Sequence, residues 1–377
     1  MRVAIVTESF LPSINGVTNS VLRVLDTLRS HGHDAIVIAP TSNAAEYQGF
    51  PVVTTPFVPL VGFPVAIPTP AVAQALDAFS PDVIHVAAPF WLGGQALAHA
   101  QKRGIPSVAV YQTDVAGYMA RYGADFATPM LDGITAAIHR QATLTLAPTE
   151  DGVSYMKLLG IDNVEIWGRG VDTYLFSPTR KDSDRVAALR ATIAPNGEAV
   201  IGYVGRLAPE KQVERLKELC DLPDTRILIV GDGPSRADLH AHFEGYPATF
   251  TGRLSGEELA DAYAAMDVFV HCGTEETFGQ TIQEAHASGL PVVAPSQGGQ
   301  RHLIQDGVNG YLVDHTRWGS FRERVAHFVS DPGLRRKHSF AARAAVEGKT
   351  WEKNNFALLE FYRRIVTPTS AFVSEAA

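Results

Sequence analysis

The stretch CGTEETFGQTIQEAHASGLPVVAP, from Cys272 to Pro295, carries two carboxylates, Glu276 and Glu284, eight positions apart. DVFVHC before it reads as a β-strand, GTEETFG as the exit loop, and QTIQEAHASG as a helix that Gly289 ends and Pro291 follows. Glu276 therefore belongs to a strand-to-helix loop. Glu284 lies about one and a half turns after Gly279, on a face able to look back at that loop. Taken singly, Glu276 suits a capping residue and Glu284 an exposed helix carboxylate.

A second set of groups has the opposite charge. In AVIGYVGRLAPEKQ an apolar strand ends in Gly205 and Arg206, Lys211 follows five residues after Arg206, and Pro209 suits the first turn of a helix. Two cations at a helix amino terminus form an anion site, since free N–H groups and the helix dipole add to the side-chain charges. The plainer account pairs Arg206 and Lys211 with Glu210 or Glu214 at the surface. Nearer the start, SFLPSINGVTNSVLRVL puts Asn15 and Gly16 between strand one and an amphipathic helix, where glycine either admits a ligand or serves a tight turn. The GDGP of residues 231–234 continues only to Arg236, which leaves the dinucleotide fingerprint incomplete and reads as a strand-ending loop.

The elements that must position these groups alternate regularly. RVAIVT, a helix over 17–30, DAIVIAP, a helix over 70–79, DVIHVA, SVAVYQ and LTLAPT have the rhythm of βαβ units on a parallel sheet. After GRGVDTYLFSP the charged TRKDSDR loses the apolar period and reads as a linker. A second series follows with AVIGYVG, RILIVGDG, ATFTG, DVFVHC, PVVAP and GYLVD, then a terminal helix over about 351–365. The pattern predicts an α/β protein of two doubly wound domains facing across a cleft, spanning 1–172 and 185–354, with a helix near 355–370 returning to the first. Ligands belong at the carboxyl ends of the strands. A length of 377 residues agrees, since single cores stop growing well below that size.

Composition narrows the partners. A formal charge of −8 argues against general nucleic-acid binding, and 46% hydrophobic with 19% charged residues describes a globular chain. Cys220 and Cys272 lie far apart without metal-ligand spacing, so neither a disulfide framework nor zinc is expected, and a reducing cytoplasm fits. MRVAIVTESF reads as a strand rather than a signal peptide, and prolines between 51 and 70 rule out a spanning helix there. The apolar stretch from Thr54 to Pro70 suits either a loop against a lipid surface or a packed first-domain loop. His85 and Trp91, near a strand end, are either acceptor contacts or packing residues.

EETFGQTIQEAHASGLPVVAP resembles the E-x7-E signature of retaining GT-B glycosyltransferases of family four, and GYVGRLAPEKQ resembles their phosphate-binding segment. LPSINGV, PDVIHVAAP, IVGDGP, FTGRLSGEEL and DGVNGYLV recur in the family's order, and YQTDVAGYMARYG with WGRGVDTYLF is most similar to GDP-mannose-dependent glycolipid mannosyltransferases.

The resemblance implies that Arg206 and Lys211, beside Gly205, grip a donor diphosphate and that Glu276 takes sugar hydroxyls. Thr277, Phe278, Gly279 and Gln280 would lie near sugar and phosphate, Glu284 at the ribose, Gly252 and Leu254 beside the base, and Asn15 with Gly16 at the phosphate. Gln112 stands where many relatives have histidine; it can hydrogen-bond a hydroxyl but cannot titrate, so a binding or transition-state role in catalysis is implied rather than a general base, and nearby Asp114 could reach donor or acceptor.

The resemblance further implies front-face transfer of mannose from GDP-mannose to a glycolipid or lipoglycan, with peripheral contact at the inner membrane face. No cofactor and no metal are expected, because the D-x-D at Asp182–Asp184 falls in the linker. A UDP-sugar-dependent hexosyltransferase is the close alternative, and an NAD-dependent dehydrogenase or a non-catalytic sugar-nucleotide binder the distant ones.

Overall fold

The computed structural model describes residues 1–40, 42, 44–60, 63–66, 69–112 and 128–367, with 58–60 and 63–66 by backbone alone. The chain divides into two units, 1–169 with 351–377, and 170–350.

The first unit is built on eight strands, β1 (Arg2–Val6), β2 (Asp34–Ala39), β3 (Glu46–Tyr47), β4 (Phe50–Thr54), and then β7 (Val83–Val86), β8 (Ser107–Val110), β9 (Leu144–Ala147) and β10 (Val164–Ile166), after the pair β5 (Phe57–Leu60) and β6 (Phe63–Ala66). Their order is β10-β9-β8-β7-β1-β2-β4-β3, parallel except where β3 meets β4. The central strands are buried on both faces, which is why they read as continuous apolar runs. Helix α1 (Gly16–Ser30) and the terminal α12 (Trp351–Val366) share one face, where Leu358, Leu359 and Tyr362 join the core of β1 and β2. Helices α2 (Ala71–Phe79) and α3 (Trp91–Arg103) cover the other. Within the proline-rich stretch after Thr54, the expected loop contains two strands: β5 and β6 pair antiparallel apart from the main sheet, Phe57 opposite Ala66 and Leu60 opposite Phe63. The edges of such a pair tolerate the prolines that a central strand would reject.

The second unit has six parallel strands, β11 (Ala199–Val204), β12 (Thr225–Val230), β13 (Ala248–Gly252), β14 (Val268–Val270), β15 (Val292–Pro295) and β16 (Gly310–Val313), in the order β13-β12-β11-β14-β15-β16. The order reverses between β11 and β14, so the exits of those two strands, far apart in sequence, become neighbours. Both faces are closed by apolar clusters, one around Tyr263, Phe269 and Ile282, the other around Tyr203, Phe321 and Phe328.

The charged stretch expected as a linker lies inside this unit. Phe176 is buried edge-on against Tyr263, Arg180 ion-pairs with Glu257 and with Asp261, and Ser183 caps the helix Asp184–Ile193 by accepting the Val186 N–H. Asp182-Ser183-Asp184 thus marks a helix start. Among the described residues no three His, Cys, Asp or Glu side chains gather as a metal site, and no helix is long and apolar enough to cross a membrane.

Candidate active site

At the exit of β11 the chain turns through Gly205, Arg206 and Leu207, and the GDGP loop after β12 clamps that turn. The Gly205 N–H donates to the Val230 carbonyl at 3.0 Å, Leu207 N–H to Asp232 at 3.0 Å and Ser235 N–H to Leu207 at 2.9 Å. Gly231 has φ +144°, and a Cβ there would fall on the Gly205 carbonyl oxygen. These glycines serve backbone-to-backbone approach rather than a dinucleotide.

The predicted helix at Pro209 is a three-residue 3-10 turn, Pro209–Lys211, and Gln212 at φ +49° separates it from a second 3-10 segment, Val213–Leu219. An α-helix dipole aimed at an anion is therefore absent at this point, and the positive potential comes from side chains. Arg206 is 52% exposed with Nη1 3.7 Å from Glu210. Lys211 turns inward and pairs directly with Glu276. The surface-pairing account describes Arg206, whereas Lys211 answers the acid that opens the following loop.

That loop leaves β14 through His271 and Cys272. Gly273 is held because a Cβ would come within 3.1 Å of the Glu210 carbonyl oxygen, so the two strand exits touch backbone to backbone. A strap after β15 supports the loop from behind: Gln300, fully buried, donates to the Gly273 carbonyl at 2.9 Å, and the Gly299 N–H donates to the Glu276 carbonyl. A Cβ at Gly298 would approach the Thr274 carbonyl oxygen to 2.6 Å. The strap was legible only as a Gly-Gly pair after a strand, in PSQGGQRH.

The electrostatics follow from burial. Burial by itself would raise the Glu276 carboxyl, but the Lys211 ammonium, helped by His271, carries it down from 4.5 to about 2. Burial opposes the charge on Lys211, yet Glu276 pushes its pKa above the usual value. Both groups are charged at neutral pH, a fixed cation beside a fixed hydroxyl acceptor. His271, 2% exposed, is lowered by burial to about 4 and is neutral.

Helix α9 (Gln280–Ala287) begins at Gly279, φ +97°, with Thr277 half-buried and Phe278 buried just before it. Gln280 donates to the Gly170 carbonyl at 3.1 Å. Glu284, half-buried, accepts from the Tyr263 hydroxyl at 3.0 Å, a partner that sequence reading did not find. Gly252 closes β13 at φ +76° and accepts the Gly231 N–H at 2.8 Å, while Leu254 packs on the unit's core.

In the first unit Asn15 caps α1, its side chain accepting the Thr18 N–H at 3.0 Å and donating to Ser9 at 2.7 Å. Gly16 follows with open space where a Cβ would be. The Gln112 amide is buried, donates to the Ala87 carbonyl and accepts from Arg169, whose other arm reaches the Gly16 carbonyl at 3.2 Å. Arg169, absent from the sequence-based set, thus ties Gln112 to the start of α1. Glu8, at the exit of β1, accepts the N–H groups of Leu92 and Gly93, and burial raises its carboxyl to about 7. His85 is a packing residue, buried and bonded to the Tyr362 hydroxyl at 2.7 Å, while Trp91 is 51% exposed. Asp114 lies outside the described residues.

Two doubly wound α/β units, one with a Lys–Glu pair at its topological switch point, are the parts of a GT-B fold. The solved structure of Anabaena Alr3699/HepE in complex with UDP has this fold: TM-score 0.80, 20% identity, covering 96% of this chain and 100% of that one. Residues 14–175 match the profile described as Glycosyltransferase Family 4, and residues 186–345 that of Glycosyl transferases group 1. Similarity extends to the GDP-mannose-dependent alpha-mannosyltransferases of Corynebacterium glutamicum, 44% identical over 97% of this chain and 89% of the relative, and Mycobacterium tuberculosis, 43% identical over 97% of each. The chain belongs to this family of glycosyltransferases.

Proposed function

We propose that the enzyme transfers mannose from GDP-mannose to a glycolipid or lipoglycan acceptor, with retention of configuration and without a metal ion. The observation that carries the donor assignment is the 43–44% identity, over nearly the whole chain, to enzymes named for that donor. The Lys211–Glu276 pair supports it chemically, because a sugar diphosphate needs a cation at the phosphate and an acceptor for hydroxyls within one pocket.

In this reading the bond from the anomeric carbon to the β-phosphate oxygen breaks while the acceptor hydroxyl attacks from the same face. The hydroxyl proton passes to the departing phosphate oxygen. Negative charge grows on the diphosphate, where Lys211 and Arg206 stabilise it, and fixed cations at such a point supply several kcal/mol, roughly as oxyanion holes do. Glu276 orients the sugar, residues 277–280 border the sugar and phosphate, Glu284 holds the ribose, and residues 251–254 flank the base. Gln112, with both amide ends engaged, acts as a positioning residue through Arg169.

Labelled GDP-mannose and UDP-glucose, each offered with lipid extract and followed by product analysis, test the donor: a mannolipid from GDP-mannose is expected, and turnover with the UDP donor alone refutes the assignment. Activity should survive a chelator; its abolition refutes metal independence. Co-sedimentation with anionic vesicles tests peripheral membrane contact, and a protein left wholly in the supernatant speaks against it.

A further inference from the structure

His271 is absent from the site residues implied by the family resemblance, yet its position in the second unit is specific. It follows β14 directly, with its N–H donating to the Val293 carbonyl at 3.0 Å, so the backbone beneath the ring is part of the sheet's hydrogen bonding. The ring is 2% exposed, and neither nitrogen makes a hydrogen bond among the described residues. Buried imidazole without a partner is costly, and such groups call for an explanation. Nε2 lies 3.5 Å from Glu276 Oε1, the same oxygen that Lys211 engages. Gly273 lies beside the ring, where a Cβ would make only van der Waals contact, 3.4 Å from Nε2.

The charges explain why a third group is needed. Lys211 balances the half-buried Glu276 carboxylate. A donor diphosphate at Lys211, as proposed above, draws the ammonium toward phosphate just when Glu276 must stay ionised and aimed at a sugar hydroxyl. A buried carboxylate that loses its cation needs another donor to remain charged. A neutral imidazole has one N–H to give, and a bond from it to a carboxylate is charge-assisted. The existing 3.5 Å separation becomes a hydrogen bond with a shift of several tenths of an ångström.

We propose that His271 is a positioning residue for donor-sugar recognition: its Nε2–H takes over Glu276 Oε1 when Lys211 turns to the diphosphate, keeping the carboxylate ionised and oriented toward the sugar. The role rests on the donor-site reading given above. It makes His271 important to the sugar and indifferent to the nucleotide, a split that a purely structural residue would not show.

Three measurements on the full chain decide it. His271→Phe keeps a ring and removes the donor; kcat/KM for GDP-mannose should fall by about tenfold or more, the size of one charge-assisted hydrogen bond, while Kd for free GDP stays within about twofold. His271→Gln restores an N–H and should recover most of the loss. Histidine ¹⁵N spectra, with the His271 signal assigned by its absence from His271→Gln, should show the Nε2–H tautomer in the free enzyme and a stronger hydrogen bond with donor bound. Parallel losses for GDP and GDP-mannose, unchanged kcat/KM in His271→Phe, or an Nδ1–H tautomer each overturn the proposal. If wild-type enzyme makes no use of GDP-mannose, the donor reading fails separately, and the tautomer facing Glu276 in the free protein still decides the role of His271.

Discussion

Lys211 and Glu276 allow a quantitative test. The Glu276 carboxyl is depressed from 4.5 to about 2 despite burial that acts to raise it. At about 1.36 kcal/mol per pKa unit, that shift is worth on the order of 3 kcal/mol at pH 7. Because burial works in the opposite direction, the attraction to Lys211 must exceed this net value. The sign follows from linkage: an acid whose folded pKa lies below its unfolded pKa contributes stability above about 4.5, and that contribution drains away as pH falls toward 2. Integration leaves about 1.4 kcal/mol at pH 3.

The perturbation is a double-mutant cycle of Lys211→Met, Glu276→Gln and the pair, followed by denaturant unfolding at pH 7 and pH 3. The transitions are fitted separately for the two units, which need not unfold together. Lys211→Met should destabilise more than the double substitution, since it leaves a half-buried carboxylate without its countercharge. The coupling energy should be about 3 kcal/mol or more at pH 7 and roughly half of that at pH 3. Additive losses, or a coupling indifferent to pH, would refute the electrostatic account of the site.

Arg206→Ala and Lys211→Ala should lower kcat more than Glu284→Ala, which should act mainly on donor KM, because charge grows at the phosphate and not at the ribose; steady-state kinetics with equal kcat losses would count against this ordering. Gly231→Ala should cost about 2–4 kcal/mol and abolish turnover, since a Cβ collides with the Gly205 carbonyl and the φ of +144° suits glycine; wild-type melting and activity would show that the clamp is dispensable. Glu8 has a folded pKa raised to about 7 from 4.5, so its stabilising contribution is full below 4.5 and is lost as pH rises through 7. Glu8→Gln should therefore raise Tm relative to wild type at pH 8 and leave it unchanged at pH 4, and a pH-independent difference would contradict the assigned shift.

The amino-acid order alone determined the strands and most of the helices, because apolar β-branched runs such as AIVIA and RILIV can satisfy their side chains only inside a sheet covered on both faces. It also marked Arg206, Lys211 and Glu276 as chemistry-bearing, since each follows a strand exit, and Glu284, in the helix that follows Glu276. Which of these meet is a property of the tertiary structure. Lys211 and Glu276 pair because β11 and β14 are neighbours where the sheet order reverses, and no local periodicity encodes which strands lie side by side. The same limit hid the helix start at Pro209 that became two 3-10 segments, the charged 179–185 stretch that anchors to Asp261, and the β5–β6 pairing. His271, Tyr263, Arg169 and the Gly298–Gln300 strap gain their meaning from contacts across 5 to 153 residues of chain. A side chain's chemistry is written in its type, but its partner is chosen by packing, and packing is settled by the whole fold at once.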